Sequence, residues 1–190
     1  MLTVAEKKAL LGLARKAIES CLNGKRSEDF DARTPALDKD SGAFVTLHRD
    51  GMLRGCIGTF ASPNPLFKTI TDMAVSAATQ DPRFMPLGPE ELGLVTIEIS
   101  VLSPLKEISE ITEVEVGRHG LYIIKGRNRG VLLPQVAVEH GFDRISFLEQ
   151  TCMKAGLSKD AWKKDAAIFT FEAEIFREED FREGASASLS

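Results

Sequence analysis

The sequence is poor in the residues that build metal centres and disulfide frameworks. It has three cysteines, Cys21, Cys56 and Cys152, and three histidines that are scattered along 190 residues. None of them shows the spacing of zinc ligands, so the sequence assigns no metal and no other cofactor. An odd number of cysteines without a CxxC pair also argues against a disulfide framework. We therefore expect reduced thiols.

Long apolar runs and an excess of positive charge are missing as well. No apolar run approaches the roughly 18 residues of a membrane-spanning helix, and no basic stretch followed by an apolar core marks a secretion signal. The formal net charge is -4, whereas proteins that bind nucleic acids generally carry a basic surface. These features predict a cytoplasmic protein without a membrane partner, and they argue against nucleic acid as a partner.

Hydrophobic periodicity predicts a mixture of helices and strands in one domain over 1–180, followed by a flexible tail over 181–190. The clearest helix, 3–22, begins with a Thr3–Glu6 capping box and ends at Gly24. We expect Cys21 to pack on its apolar face. The other predicted elements are a hairpin over 43–60, a helix over 65–80 that Asp81-Pro82 ends, strands over 94–102, 111–116, 121–125, 131–133 and 168–176, and a helix from Asp143 to Gly156.

The run Leu53–Phe60 is unusual because it places a cation, a thiol and two glycines in one short strand. Glycine inside a strand often marks a bulge or a close approach of a ligand or another backbone. The preceding Asp50-Gly51 is a strong two-residue turn signal. Such a turn pairs Leu47 with Arg54 and puts Arg54 and Cys56 on one face.

Cys56 is the candidate nucleophile of this run. A nearby cation favours the reactive thiolate, and Arg54 is in position to supply one. His48 or His119 would have to approach in space as the base that cysteine catalysis needs. Glu98, on the polar face of strand 94–102, is a site acid or a partner of Arg54. The predicted catalytic residues are thus Cys56 and Glu98; the alternative is that the thiol is packed and the carboxylate belongs to a salt bridge.

The predicted substrate-binding residues combine planar cations with small and polar groups. Arg54 and Arg83 would present their guanidinium groups to a phosphate or carboxylate, although salt bridges within the fold explain them equally well. The complete predicted set is Arg54, Gly55, Gly58, Thr59, Arg83 and Gln135.

Several motifs together resemble those of the AMMECR domain family, whose prokaryotic members are protein A of the AmmeMemoRadiSam system. The resemblance rests on 53–58 (LRGCIG), 81–84 (DPRF), 98–103 (EISVLS), 132–136 (LLPQV) and 154–157 (KAGL). It implies an α+β fold with a largely antiparallel sheet, in which a larger and a smaller subdomain surround one groove. It also implies Memo-like and radical SAM proteins as pathway partners, while no catalytic residue is established for the family.

Three functions follow from these observations. The first is an enzyme or a component that binds an unknown small molecule, with Cys56 and Arg54 at its centre. The second is a non-catalytic adaptor that docks a partner protein. The third is an RNA-associated factor, because Arg127 and Arg129 lie in a glycine-bounded turn, although that turn lacks the P-loop pattern.

Overall fold

The computed structural model of the chain describes residues 1–25 and 34–181. They form two compact units: Met1–Val101 together with the segment from Glu174, and Leu102–Ala173. Both units combine helices with antiparallel strand pairs, which confirms the predicted α+β class. That 1–180 acts as one domain stays a prediction. The predicted tail lies outside the described residues except for Phe181, which ends a short 3-10 turn.

The elements of the first unit are, in chain order, α1 (Val4–Leu22), β1 (Ala43–Arg49), β2 (Met52–Thr59), α2 (Leu66–Thr79) and β3 (Val95–Leu102). Those of the second unit are β4 (Lys106–Ile108), β5 (His119–Lys125), β6 (Asn128–Leu132), α3 (Pro134–Glu139), α4 (Arg144–Lys154) and β7 (Ala167–Arg177), whose last residues belong to the first unit. None of these described helices has the length and apolar character needed to cross a membrane.

In the first unit the strands run in the order β2-β1-β3. One face of this sheet is apolar and packs with α1 and α2 in the core; Val45, Leu47, Ile97 and Ile99 on the strands are at most 1% exposed. Because side chains alternate along a strand, Thr46, His48 and Glu98 lie on the opposite face. That polar face is where the candidate site lies.

The hairpin has the predicted turn but not the predicted register. Asp50 (φ 52°) and Gly51 (φ 75°) both have positive φ, as a type I′ turn requires. His48 pairs with Leu53 and Leu47 with Gly55, so Arg54 is an extra residue at a β-bulge. The predicted pairing of Leu47 with Arg54 is therefore wrong, and Cys56 lies opposite Thr46.

The helix α1 confirms the sequence prediction in most respects. The Thr3–Glu6 capping box is present, and Gly24 follows the helix with a φ of 66°. Cys21, however, is exposed. The buried stripe of α1 continues from Ile18 to the half-buried Leu22, which lies one full turn further, so Cys21 falls beside the stripe.

In the second unit the strands run in the order β4-β7-β5-β6. The core between this sheet and α4 is closed, with Leu121, Ile123, Phe147 and Cys152 fully buried. The strand predicted over 111–116 is wrong, since Ile111–Glu113 forms a 3-10 turn whose Glu113 side chain accepts backbone hydrogen bonds. The short β4 was not predicted, because three residues give too little alternation to detect.

Candidate functional site

The polar face of the first unit's sheet brings a thiol, a hydroxyl and a carboxylate into one row. Thr46 on β1 pairs with Cys56 on β2 and with Glu98 on β3. His48 lies two residues further along β1 on the same face, diagonal to both Cys56 and Glu98. We call this group, with Arg177 beside Glu98, the polar sheet face. It contains both residues predicted to be catalytic, Cys56 and Glu98, whose roles stay predictions.

The thiol of Cys56 is half-buried and has a hydroxyl neighbour. The Thr46 hydroxyl donates a hydrogen bond to Cys56 Sγ over 3.3 Å. The backbone of Cys56 is held on both sides, since its N–H donates to Asp81 Oδ2 over 2.8 Å and its carbonyl accepts from Arg83 Nη2 over 3.3 Å. These two hydrogen bonds therefore fix the backbone that carries the thiol.

Asp81 is the residue that sequence reasoning missed. It is 5% exposed and accepts hydrogen bonds from Arg83 Nε at 2.9 Å and Nη2 at 2.6 Å. The Arg83 guanidinium holds the pKa of the Asp81 carboxyl well below its ordinary value of 3.8. Asp81-Pro82 predicted the end of α2 correctly, but nothing in that dipeptide signals a contact with Cys56, 25 residues earlier. Arg83, predicted to bind an anionic substrate, thus has an anion inside the fold.

Arg54 is also engaged inside the first unit. Its Nε and Nη2 donate to the two carboxylate oxygens of Glu91 over 3.1 and 2.9 Å, and its Nη1 donates to the Met85 carbonyl over 3.0 Å. Arg49 donates to Glu91 as well. The hydrogen bonds from Arg54, which have the largest effect, and from Arg49 lower the pKa of Glu91 to about 2.

The expected association of Arg54 with Cys56 and Glu98 is wrong. At the bulge, Arg54 and Gly55 both face Leu47, which lies on the face opposite Thr46. Arg54 accordingly shares its carboxylate partner with Arg49. The partner of Glu98 is Arg177, whose Nε donates to Glu98 Oε2.

The two glycines of β2 are explained by packing. A Cβ on Gly55 would lie 2.3 Å from the Ala77 carbonyl oxygen, so glycine lets α2 approach the strand directly. A Cβ on Gly58 would lie 2.3 Å from the ring of Phe44. The Thr59 hydroxyl donates to the Ala61 carbonyl over 2.7 Å. All three residues, predicted to contact substrate, have contacts within the fold.

Two residues considered from the sequence belong to the second unit. Gln135 is on α3, and its buried Oε1 accepts no hydrogen bond from the residues that the structure describes. His119, one of the two histidines considered as a base, opens β5 and accepts a hydrogen bond from the Glu115 N–H at Nδ1 over 3.1 Å.

A pocket of about 200 Å³ opens at one end of the polar sheet face; it is lined by His48, Gly51, Thr96, Ile97, Glu98, Arg177 and Glu179. His48 Nε2 is buried, has no hydrogen-bond partner among the described residues, and lies 3.9 Å from Glu98 Oε2. Hydrogen bonding to Glu98 raises the pKa of Arg177, which keeps it cationic. The pocket therefore combines an unsatisfied imidazole with a carboxylate and a guanidinium. No group of three metal-ligating side chains occurs in the described part of the chain.

The chain is similar in sequence to a known protein family and to proteins of archaea and bacteria. The AMMECR1 sequence profile matches residues 11–176. A protein of Methanosarcina acetivorans is 46% identical over 191 residues, with 95% of each chain covered. A protein of Aquifex aeolicus is 40% identical over 179 residues, with 90% of this chain and 92% of the relative covered.

A solved structure extends the likeness to the fold. The crystal structure of an uncharacterized protein from Pyrococcus horikoshii matches with a TM-score of 0.81 and 43% identity, and the match covers 90% of each chain. On this sequence and structural similarity, the chain belongs to the AMMECR1 family.

Proposed function

We propose that the polar sheet face binds a small molecule and acts on it through Cys56. His48 accepts the thiol proton, and Glu98 stabilises the imidazolium that forms. The observation that carries the proposal is the unsatisfied His48 Nε2, which lies 3.9 Å from the Glu98 carboxylate at a pocket and one diagonal step from Cys56.

The strand pairing supports this proposal of covalent catalysis by a thiol. A nucleophile, a base and an orienting acid must lie within reach of one another, and here all three project from adjacent strands of one sheet. The Thr46 hydroxyl donates to the Cys56 sulfur and holds it on the polar sheet face. Arg177 pairs with Glu98 and fixes the position of its carboxylate beside His48. The pocket volume suits a small metabolite better than a nucleotide.

The biological setting is part of the same proposal. We place the protein in the cytoplasm, in a pathway with Memo-like and radical SAM proteins. Family membership supports this setting, because the prokaryotic AMMECR proteins that the sequence resembles are protein A of the AmmeMemoRadiSam system, whose name also refers to Memo and radical SAM proteins. The small molecule would then pass between this protein and one of them.

The test is the rate at which iodoacetamide alkylates Cys56 in the folded protein. The background carries Cys21→Ser and Cys152→Ala, so that Cys56 is the one thiol that remains, and circular dichroism verifies the fold. We expect His48→Ala and Glu98→Gln each to slow alkylation at neutral pH by about tenfold, since general bases contribute at least that much.

Matched controls separate the site from general effects of the substitutions. His140→Ala and Glu107→Gln remove the same groups from exposed positions of the second unit and should leave the rate unchanged. Alkylation that occurs only after unfolding, or that is equally fast in all variants, would contradict a nucleophilic role for Cys56.

A second function, docking of a partner protein, is favoured by one surface. Met52, Met85 and Leu94 are 70%, 81% and 56% exposed around the Arg54–Glu91 ion pair. Exposed methionine beside arginine is characteristic of protein interfaces. An adaptor predicts that a purified Memo-like protein binds Cys56→Ser as tightly as wild type and loses affinity for Met52→Lys/Met85→Lys, measured by titration calorimetry. The reverse pattern would contradict this second function.

A further inference from the structure

Apart from Lys125 and Arg144, which donate to backbone carbonyls, the lysines and arginines of the second unit fall into two groups. Lys106 and Arg118 form ion pairs with Glu113, Glu115 and Glu172 at 2.9 to 3.2 Å. The other group is exposed and has no ion-pair partner among the described residues; its members are Arg127, Arg129, Lys154, Lys159, Lys163 and Lys164. We call this second group the basic end.

The three segments that carry the basic end are fixed to one another. The side chain of Asn128, the first residue of β6, donates to the Ala155 carbonyl at the end of α4 over 2.9 Å. Lys125, across from Asn128, donates to the Lys164 carbonyl over 2.8 Å and to the Ala161 carbonyl over 3.3 Å. The hairpin turn, the end of α4 and the 159–164 segment therefore present their cations from one rigid platform.

The positive charge of the basic end runs against the balance of the chain. Glu149, Asp160 and Asp165 are the acidic residues on the same segments, fewer than the six exposed cations, whereas the whole chain has a formal net charge of -4. Six exposed cations on these segments outnumber the three carboxylates, so the surface keeps an excess of positive charge whose members repel one another. A negatively charged partner would offset that repulsion.

The surroundings of the basic end favour a protein segment over a nucleic acid. Met153 is 48% exposed beside Lys154, which adds an apolar contact to the cationic surface. Trp162, the one tryptophan of the chain, is half-buried, and Lys163 Nζ lies 5.5 Å from its ring centroid. Its ring is therefore not an open platform for base stacking, which single-stranded nucleic acids require.

We propose that the basic end is a docking surface for an acidic, partly apolar segment of a partner protein. Carboxylates of the segment pair with the lysines and arginines, and an apolar side chain covers Met153. Electrostatic complementarity of this kind raises the association rate and selects the partner. The surface is independent of Cys56 and of the chemistry proposed for the polar sheet face.

Trp162 provides an intrinsic reporter for the test. The probe is a synthetic peptide of glutamates flanking a central leucine, with a fluorescent label for anisotropy as a second readout. We expect the peptide to change Trp162 emission and to bind less tightly as salt rises. Affinity should fall by about tenfold or more in Arg127→Glu/Arg129→Glu and in Lys163→Glu/Lys164→Glu. The affinity of Lys163→Glu/Lys164→Glu is measured by anisotropy alone. Lys163 contacts Trp162, so its replacement changes the tryptophan emission even without peptide.

The matched control is Lys106→Glu/Arg118→Glu, which changes the charge of the same unit equally at the paired cations. It should leave peptide affinity within about twofold, as should Cys56→Ser, so failure of this proposal is distinct from failure of the proposed enzyme site. An oligouridylate of equal charge that binds more tightly than the peptide would overturn the choice of partner. Absence of peptide binding at physiological salt, or an equal loss in the control, would overturn the docking surface itself.

Discussion

Two pairs of arginines in this chain have opposite surroundings. Arg54 and Arg83 belong to the family motifs on and near β2, and their guanidinium groups are bound to Glu91 and Asp81. Arg127 lies in the β5–β6 turn and Arg129 at the start of β6; both are exposed and form no ion pair among the described residues. A place in a motif therefore does not mark a cation as ligand-binding. What separates the two pairs is whether the fold already supplies an anion.

The same comparison applies within the motif itself. The backbone of Cys56 and the space beside Gly55 are used by the fold, while the Cys56 side chain projects onto the polar sheet face beside Thr46. We infer that most of the 53–58 run serves packing and that the thiol alone is left for chemistry.

The largest effect on stability is expected from Gly55→Ala, which tests whether the motif serves packing. The added Cβ would lie 2.3 Å from the Ala77 carbonyl oxygen, a backbone atom that moves only if α2 moves. We expect a loss of about 3 kcal/mol in the free energy of unfolding, measured by urea denaturation. Gly12→Ala is the matched control, because its Cβ meets nothing within 4 Å on α1; it should stabilise by about 0.5 kcal/mol. Equal effects would contradict a close approach at Gly55.

A somewhat smaller loss is expected from Asp81→Asn, which removes the anion paired with Arg83. The buried carboxylate accepts hydrogen bonds from Arg83 and from the Cys56 N–H. Loss of these charge-assisted bonds should cost about 2 kcal/mol, discounted because Arg83 is half exposed.

The pH dependence of this stability difference shows whether it comes from the charge of Asp81 or from packing. The pKa of Asp81 is depressed in the folded state, so its stabilisation is present above its unfolded pKa and is lost as pH falls through the folded pKa. Wild type should therefore lose its advantage over Asp81→Asn on acidification below about pH 3.8. A difference in urea midpoint that persists unchanged at lower pH would sink the electrostatic explanation.

Arg54→Lys should have a moderate effect, because a lysine cannot reproduce the two-pronged bond to Glu91. We expect a loss of about 1 kcal/mol near neutral pH. Arg54 is the main reason that the pKa of Glu91 falls from 4.5 to about 2. Its stabilisation is complete above pH 4.5 and disappears as pH falls towards 2, so the variant should converge on wild type over that interval. Thermal unfolding measured across the interval checks this, and Glu91→Gln should converge in the same way.

The elements that the sequence predicted well are those whose signals are local. The Thr3–Glu6 capping box and the Asp50-Gly51 turn depend on residues within a few positions of one another in the sequence, and both are present. The hairpin register failed because a bulge at Arg54 shifts the pairing by one residue. A bulge is decided by packing across the sheet, where α2 presses on Gly55, and that contact is not visible in the strand itself.

The candidate site was predictable only in part for a related reason. Alternation along a strand identified Cys56 and Glu98 as chemically interesting, and both are on the polar sheet face. The partners of each charge came from distant segments: Arg177 lies 79 residues from Glu98, and Asp81 lies 25 residues from Cys56. Single-sequence patterns carry no information on such pairs, so arginines assigned to substrate are salt-bridge residues in the fold.

The smallest effect is expected from Arg127→Ala/Arg129→Ala, the counterpart of the motif arginines. Both side chains are exposed and unpaired among the described residues, so their removal should change the free energy of unfolding by no more than about 0.5 kcal/mol. Relief of repulsion with Lys154, Lys163 and Lys164 would make the change slightly stabilising at low salt and negligible at high salt. Urea denaturation at two ionic strengths measures this. A loss as large as that of Arg54→Lys would mean that the hairpin arginines have a partner within the fold, and the contrast between the two pairs would fail.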